Sequence, residues 1–370
     1  MRTLASIQQI KKFVPIPDRD MIVLATFVDL GWQAIVRKDD FKEGDLCVFI
    51  EPDSLLPSDD PSFAFMASRH FKVKTMKMAG VLSQGLVMPI SILPDGMKPH
   101  RGMDVTELLK ITEFGVDDAS IITSTCANIS KYPRWLMHFA WFRKLVLPKK
   151  QQSVFPSEFP RTDETRIQSN PRFAEMYNPL IATEKVDEQS TTYMVKRIRR
   201  KFFKDKFEFI VCSHNRRLFD KTDMPQMWKN ADKYNIAEEL QILLETQFPC
   251  DDWIAIQGET IAPSVQGNNY KLASGETDLY VFNVITQKNG RLSPELAMRA
   301  VRMMEMQFVP IIDTNVDLSG KSVNEILDYA TGASLINPNR MREGIVFRSM
   351  TDSNKSFKAV SPSYLLKEGK

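Results

Sequence analysis

The prolines between Pro148 and Pro160 separate two stretches of different pattern, and each pattern permits few folds. Up to about residue 110, apolar residues come in short runs broken by turn residues. Residues 21–28 and 32–37 flank Gly31, residues 46–50 follow the polar corner Lys42-Glu43-Gly44-Asp45, and residues 71–76 and 84–88 come next. Short strands at this spacing predict a small antiparallel barrel or sandwich. Lys72, Lys74 and Lys77 alternate with apolar neighbours there and are expected on one face of a strand.

Beyond about residue 160 the pattern is mixed. Strands are expected at 207–212, 253–259, 278–284 and 344–348, with helical periodicity over 225–244 and 294–306. Ser293-Pro294 is a helix start. Between the two stretches, the aromatic-dense residues 132–145 predict a short helix, and Pro148-Lys149-Lys150 a linker. The fold class is therefore α+β, divided as 1–110, a helical and aromatic linker region at 111–158, and 159–370.

Hydrophobic residues make up 43% of the 370, enough apolar material for two cores without metals or disulfides. The four cysteines are widely spaced, with no C-x-x-C pair to suggest a zinc site. No apolar run has the length of a membrane span, and the first residues lack the pattern of a signal peptide. An intracellular, cytoplasmic protein is expected. The net charge of +3 does not by itself mark a nucleic-acid binder; a binding surface must come from local clusters.

The chemistry is concentrated around Glu184-Lys185-Val186-Asp187-Glu188. A strand running into Lys185 puts Asp187 on the same side of an extended chain. Alone, K-x-D occurs about once by chance in a chain of this size. An ordered series follows it: Ser213-His214-Asn215-Arg216, Gln257-Gly258-Glu259, Leu279-Tyr280-Val281-Phe282, Arg342-Glu343-Gly344-Ile345-Val346, and Ser356-Phe357-Lys358.

This order resembles the nucleotidyltransferase motifs of the covalent ligase superfamily. In detail it is similar to the ATP-dependent RNA ligases that carry an N-terminal OB domain. Residues 159–168, Glu51-Pro52-Asp53 and Ser83-Gln84-Gly85-Leu86 extend the likeness over nearly the whole chain. The resemblance implies an OB-fold β-barrel ahead of an ATP-grasp-like adenylation domain of antiparallel sheets and helices. It implies that Lys185 attacks the α-phosphate of ATP, that Lys358 sits on that phosphate, and that Lys358 and a bound divalent cation together lower the pKa of Lys185. Glu343 and Glu259 are the implied acidic partners of Mg²⁺ or Mn²⁺ or of the ribose. Phe282 would stack on adenine, Glu184 would shape the purine pocket, Asp187 would complete the nucleotide site, and Arg216 would reach ribose or phosphate. RNA, as nicked duplex or ends, is the implied partner, contacted by Lys72, Lys74 and Lys77, and a monomer is expected.

The chain departs from the family pattern at Glu188, where glycine is usual, at His214, and at Ser356, where a second lysine is usual. His214 or Lys355 would then supply the missing phosphate contact. A DNA ligase, a GTP-dependent capping guanylyltransferase and a nucleic-acid-binding module with a decayed site are the alternatives. The position of the strand-rich stretch before Lys185 counts against the first two, which place their OB domain after the catalytic one.

Overall fold

The computed structural model describes residues 2–114, 122–123, 151–152, 154–263 and 270–368. The aromatic stretch 132–145, expected as a helix, lies outside the described residues.

The N-terminal sheet runs β3-β2-β1-β4-β9, comprising Ala5–Ile16 (β1), Arg19–Phe27 (β2), Gln33–Arg37 (β3), Leu46–Ile50 (β4) and Leu86–Pro89 (β9). β1 is shared along its length: residues 5–9 pair with β4, and residues 10–16 pair with β2 across a bulge between Ile10 and Lys12. One strand serving two neighbours curls the sheet into an OB-like half-barrel. Its two faces bury separate clusters, one around Ile7, Val48 and Phe63, the other around Phe27, Trp32 and Phe49.

The run expected at 71–76 is not one strand. Lys72–Val73 (β6) pairs with Ser54–Leu55 (β5), which also takes Thr112–Glu113 (β10), whereas Thr75–Met78 (β7) pairs with Val81–Gln84 (β8). The chain changes sheet at Lys74, so Lys72, Lys74 and Lys77 do not line one strand face. Lys72 lies over the Phe114 ring, 3.7 Å from its centre.

The C-terminal half holds two antiparallel sheets. A four-stranded sheet runs β21-β13-β22-β23, from Leu180–Lys185 (β13), Ile311–Val316 (β21), Gly344–Ser349 (β22) and Ser356–Val360 (β23). The larger sheet is built on Gln189–Ile198 (β14), Lys206–Ser213 (β15), Trp253–Ile261 (β17) and Asp278–Thr286 (β18). Helices Pro225–Lys233, Ile236–Thr246 and Pro294–Met303 cover one face of it, burying Tyr193, Ile254, Leu240 and Val301. The periodicity over 225–244 is thus two helices, broken at Asn235, whose φ of 48° ends the first.

The two halves dock through buried polar groups. Trp32 Nε1 donates to Glu51 and to Ser169, and Ser169 Oγ donates to Glu51 at 2.6 Å. Arg166 pairs with Asp53, which Arg2 also approaches at 3.9 Å. Gly31 donates its amide to Gln168 at 2.7 Å, and a Cβ there would lie 2.6 Å from Val323. Only glycine allows that approach. No helix among the described residues is long and apolar enough to cross a membrane.

Candidate active site

Lys185 ends β13 and is register-paired with Gly344, the first residue of β22. A Cβ at Gly344 would come within 2.1 Å of the Ala359 carbonyl on β23. Glycine therefore lets three strands close up, and the residue before it, Glu343, turns to meet Lys185 Nζ at 2.5 Å. Both side chains are largely buried.

The pair lies at a cavity of about 470 Å³ between the two C-terminal sheets, a size suited to a nucleotide. Glu184, Lys185, Asp187, Arg216, Glu259, Phe282 and Lys358 all line it. Sequence reasoning grouped these residues, and the fold brings them together from β13, β17, β18, β23 and the turn after β15. Glu343 joins through its ion pair. Lys72, Lys74 and Lys77 are not among the lining residues, although the neighbouring Glu113 and Phe114 are.

Electrostatics divide the two lysines. Burial pulls the pKa of Lys185 down, but Glu343, Asp187 and Glu259 push it further up, above the ordinary lysine value. Lys358 is pulled down to about 8 by burial, then by Lys185, Arg166 and Arg2. Lys358 and a divalent cation are together expected to depress the pKa of Lys185; among the protein's own groups the surrounding carboxylates outweigh Lys358, and the depressed group is Lys358 itself. Glu259 is pushed up to about 8 by burial, against Lys185 and with Glu343 and Asp187.

Other side chains are committed in ways no sequence pattern indicated. Glu184 is buried and accepts from the Leu335 amide at 2.7 Å, so one oxygen of its carboxylate braces a loop at the cavity wall. Asp187 accepts from the Tyr364 hydroxyl, and its amide donates to Tyr270 at 3.0 Å. Arg216 is held by Asp223, with one contact at 2.8 Å. Arg348 donates to the carbonyl of Phe282 at 2.9 Å and fixes the strand that carries this ring.

The three departures have structural answers. Glu188 is not among the residues with positive φ, so the turn needs no glycine geometry. His214 lines the cavity, with Nδ1 3.2 Å from Thr162 Oγ1 and Nε2 3.4 Å from Asp163. Ser356 donates to Glu164 at 2.6 Å, and Lys355, 3.6 Å from Asp352, is not among the residues lining the cavity. Among the described residues no three His, Cys, Asp or Glu side chains converge as an enclosing metal cage. One oxygen of Glu259 is buried without a hydrogen-bond partner at the cavity wall. An orphaned carboxylate oxygen and a nearby glutamate fit a hard cation bound partly through water.

Residues 4–90 match an OB-fold domain family, and residues 178–360 match the RNA ligase family. No curated protein sequence matches the chain. Among solved structures, the chain is similar to Naegleria gruberi RNA ligase with PPi: 27% identity, 99% of this chain and 98% of that one, TM-score 0.75. A mutant of that ligase with ATP and Mn gives 28% identity, complete coverage of both chains at 100%, and a TM-score of 0.76. Another mutant, with AMP and Mn, gives 29% identity over 98% of each chain at 0.75. The chain belongs to the RNA ligase family, with an OB-fold domain ahead of its ligase domain.

Proposed function

We propose that the chain is an ATP-dependent ligase that joins a 3′-hydroxyl to a 5′-phosphate in RNA, with nicked duplex RNA as substrate. The observation that carries this reading is the Lys185–Glu343 pair at a nucleotide-sized cavity also lined by Phe282 and Lys358. The division into 1–110, 111–158 and 159–370 belongs to the same proposal.

Three transfers make up the reaction. Lys185 Nζ forms a bond to the α-phosphorus of ATP while the bond to pyrophosphate breaks. AMP then passes to the oxygen of a 5′-phosphate, releasing Lys185. Last, a 3′-hydroxyl attacks that phosphate and AMP leaves.

The amine must lose its proton before the first transfer, and Glu343, 2.5 Å away, stabilises the protonated form. Mg²⁺ or Mn²⁺, held by Glu343 and Glu259, would supply positive charge that lowers the pKa of Lys185 and neutralises the α-phosphate. Lys358, on the strand beside Glu343 and Gly344, spreads the charge that builds on phosphate oxygens. Phe282, its strand pinned by Arg348, stacks on adenine. Arg216 reaches the ribose or phosphate. Lys72, Lys74 and Lys77 contact the RNA backbone; changing all three to Glu weakens RNA binding and leaves self-adenylation intact, and an unchanged affinity refutes that assignment.

Incubation with labelled ATP and Mn²⁺, followed by denaturation, tests the first step. Label stays on the wild type and is absent from Lys185→Ala. Labelling by GTP instead indicates a capping enzyme, and no label at all indicates a binding module. A panel of nicked duplexes differing in sugar on each side then separates RNA from DNA sealing.

A further inference from the structure

β14 and β15 form a hairpin, closing where Ile198 pairs with Lys206. Its tip reads Arg199-Arg200-Lys201-Phe202-Phe203-Lys204-Asp205. Every residue from 198 to 206 is exposed, and Phe202 and Phe203 leave 82% and 76% of their surface open to water. Adjacent phenylalanines that bury so little contribute nothing to the core, and water penalises them where they stand.

The charge around them is as unusual. Residues 199–206 hold five basic side chains and one acidic, in a chain whose net charge is only +3. Arg199 is engaged by Asp252 at 2.6 Å, and Asp205 lies 3.8 Å from Arg197. Arg200, Lys201, Lys204 and Lys206 have no ion pair among the described residues. Lys201 Nζ sits 5.5 Å from the centre of the Phe202 ring, so cation and aromatic face are side by side.

This combination selects its partner. A cluster of cations next to apolar rings suits a polyanion that also offers flat faces, as an unpaired polynucleotide does. A duplex presents phosphates but keeps its base faces stacked inside. An apolar protein surface would leave four cations desolvated without compensation.

The position matters too. Gln189 and Ser190, at the opposite end of β14, line the nucleotide cavity. At roughly 3.3 Å per residue, the length of that strand puts the tip about 30 Å from the cavity. That is on the order of ten nucleotides at about 3.4 Å each.

We propose that the 199–206 hairpin tip is a second RNA site, a stacking platform for unpaired nucleotides lying away from the joint being sealed. It rests on the RNA-sealing reading for its substrate, but not on the chemistry at Lys185.

The test uses the full-length protein, its Phe202→Ala/Phe203→Ala variant and its Lys201→Ala/Lys204→Ala variant. One probe is a labelled oligoadenylate of about twenty nucleotides, long enough for one such platform. The others are nicked RNA duplexes with and without an unpaired tail. The phenylalanine variant loses about tenfold or more in oligoadenylate affinity. In the lysine variant the salt dependence of log affinity flattens by about 1.4, two phosphates at roughly 0.7 each. The wild type favours the tailed duplex, both variants lose that preference, and all three self-adenylate equally.

Oligoadenylate affinity unchanged in both variants overturns the proposal, as does a wild type indifferent to the tail. If oligoadenylate affinity holds while binding to phosphatidylserine vesicles or self-association is lost, the tip serves a membrane or a second copy instead. A wild type that never takes up AMP sinks the sealing reading, while oligoadenylate binding still decides the hairpin.

Discussion

Lys185 Nζ and Glu343 Oε2 stand 2.5 Å apart because β13 and β22 pair Lys185 with the glycine that follows Glu343. Lys185 is thereby biased toward its ammonium form, with Glu343 the strongest of the charges that raise its pKa. Glu343→Gln removes the largest of the charges that raise it, so the pKa of Lys185 falls. If Glu343 also holds the divalent cation, single-turnover adenylation by this variant slows by about 10²-fold, because the charge that neutralises the α-phosphate is lost with its ligand. Its pH–rate profile also moves to lower pH. Chemical-quench measurement of lysyl-AMP at several pH values checks both. A slower rate with an unmoved profile would leave Glu343 as a metal ligand without influence on the proton.

Phe282 faces the cavity from β18 while Arg348 holds its carbonyl from below. If the ring stacks on adenine, Phe282→Ala weakens ATP binding about tenfold, and Phe282→Trp retains most of it. Titration of the nucleotide against a non-adenylating protein, such as Lys185→Ala, separates this loss from any change in rate. Equal weakening by alanine and tryptophan would show that the ring acts through packing alone.

Much of this site was legible because most of its residues sit on or next to strands whose short motifs keep their order along the chain. Leu46–Ile50 stands where its apolar run predicts, and Glu259 and Phe282 fall within expected strands. β1 was not legible: Gln8-Gln9 and Lys11-Lys12 hide its alternation, and its bulge shifts the buried face between Ile7 and Ile10 and the residues beyond. The Lys72–Lys77 run read as one strand because local alternation carries no sign of the change of sheet at Lys74. The pairing of Asp53 with Arg166 joins positions 113 apart, and no period or motif links them. Nor does sequence order reveal that Tyr364 and Tyr270 both bond Asp187.

Gly344→Ala tests the close approach directly. Its Cβ would meet the Ala359 carbonyl at 2.1 Å, a backbone atom that cannot rotate away. Strands β22 and β23 must part, which costs about 1–3 kcal/mol as overpacking does elsewhere. Urea unfolding should show that loss, and adenylation should fall with it because Glu343 moves off Lys185. Full stability with full activity would mean the sheet has slack that its packing does not display.

The contact between the two halves should be acid-sensitive through Asp53. Burial raises the pKa of this carboxyl, but Arg166, Arg2, Lys358 and Lys185 together outweigh it, and the net value lies below 3.8. A carboxylate depressed on folding stabilises the folded state above its unfolded pKa, and the benefit disappears as pH falls through the folded value. Asp53→Asn removes this contribution and leaves the Arg166 guanidinium, itself buried, without its charge partner. The variant should melt a few degrees below the wild type at pH 7. As pH drops below about 5 the gap should narrow, because the wild type protonates and comes to resemble the variant. Paired thermal melts across that range decide the matter: a gap that stays constant with pH would assign the loss to geometry, not to the charge on Asp53.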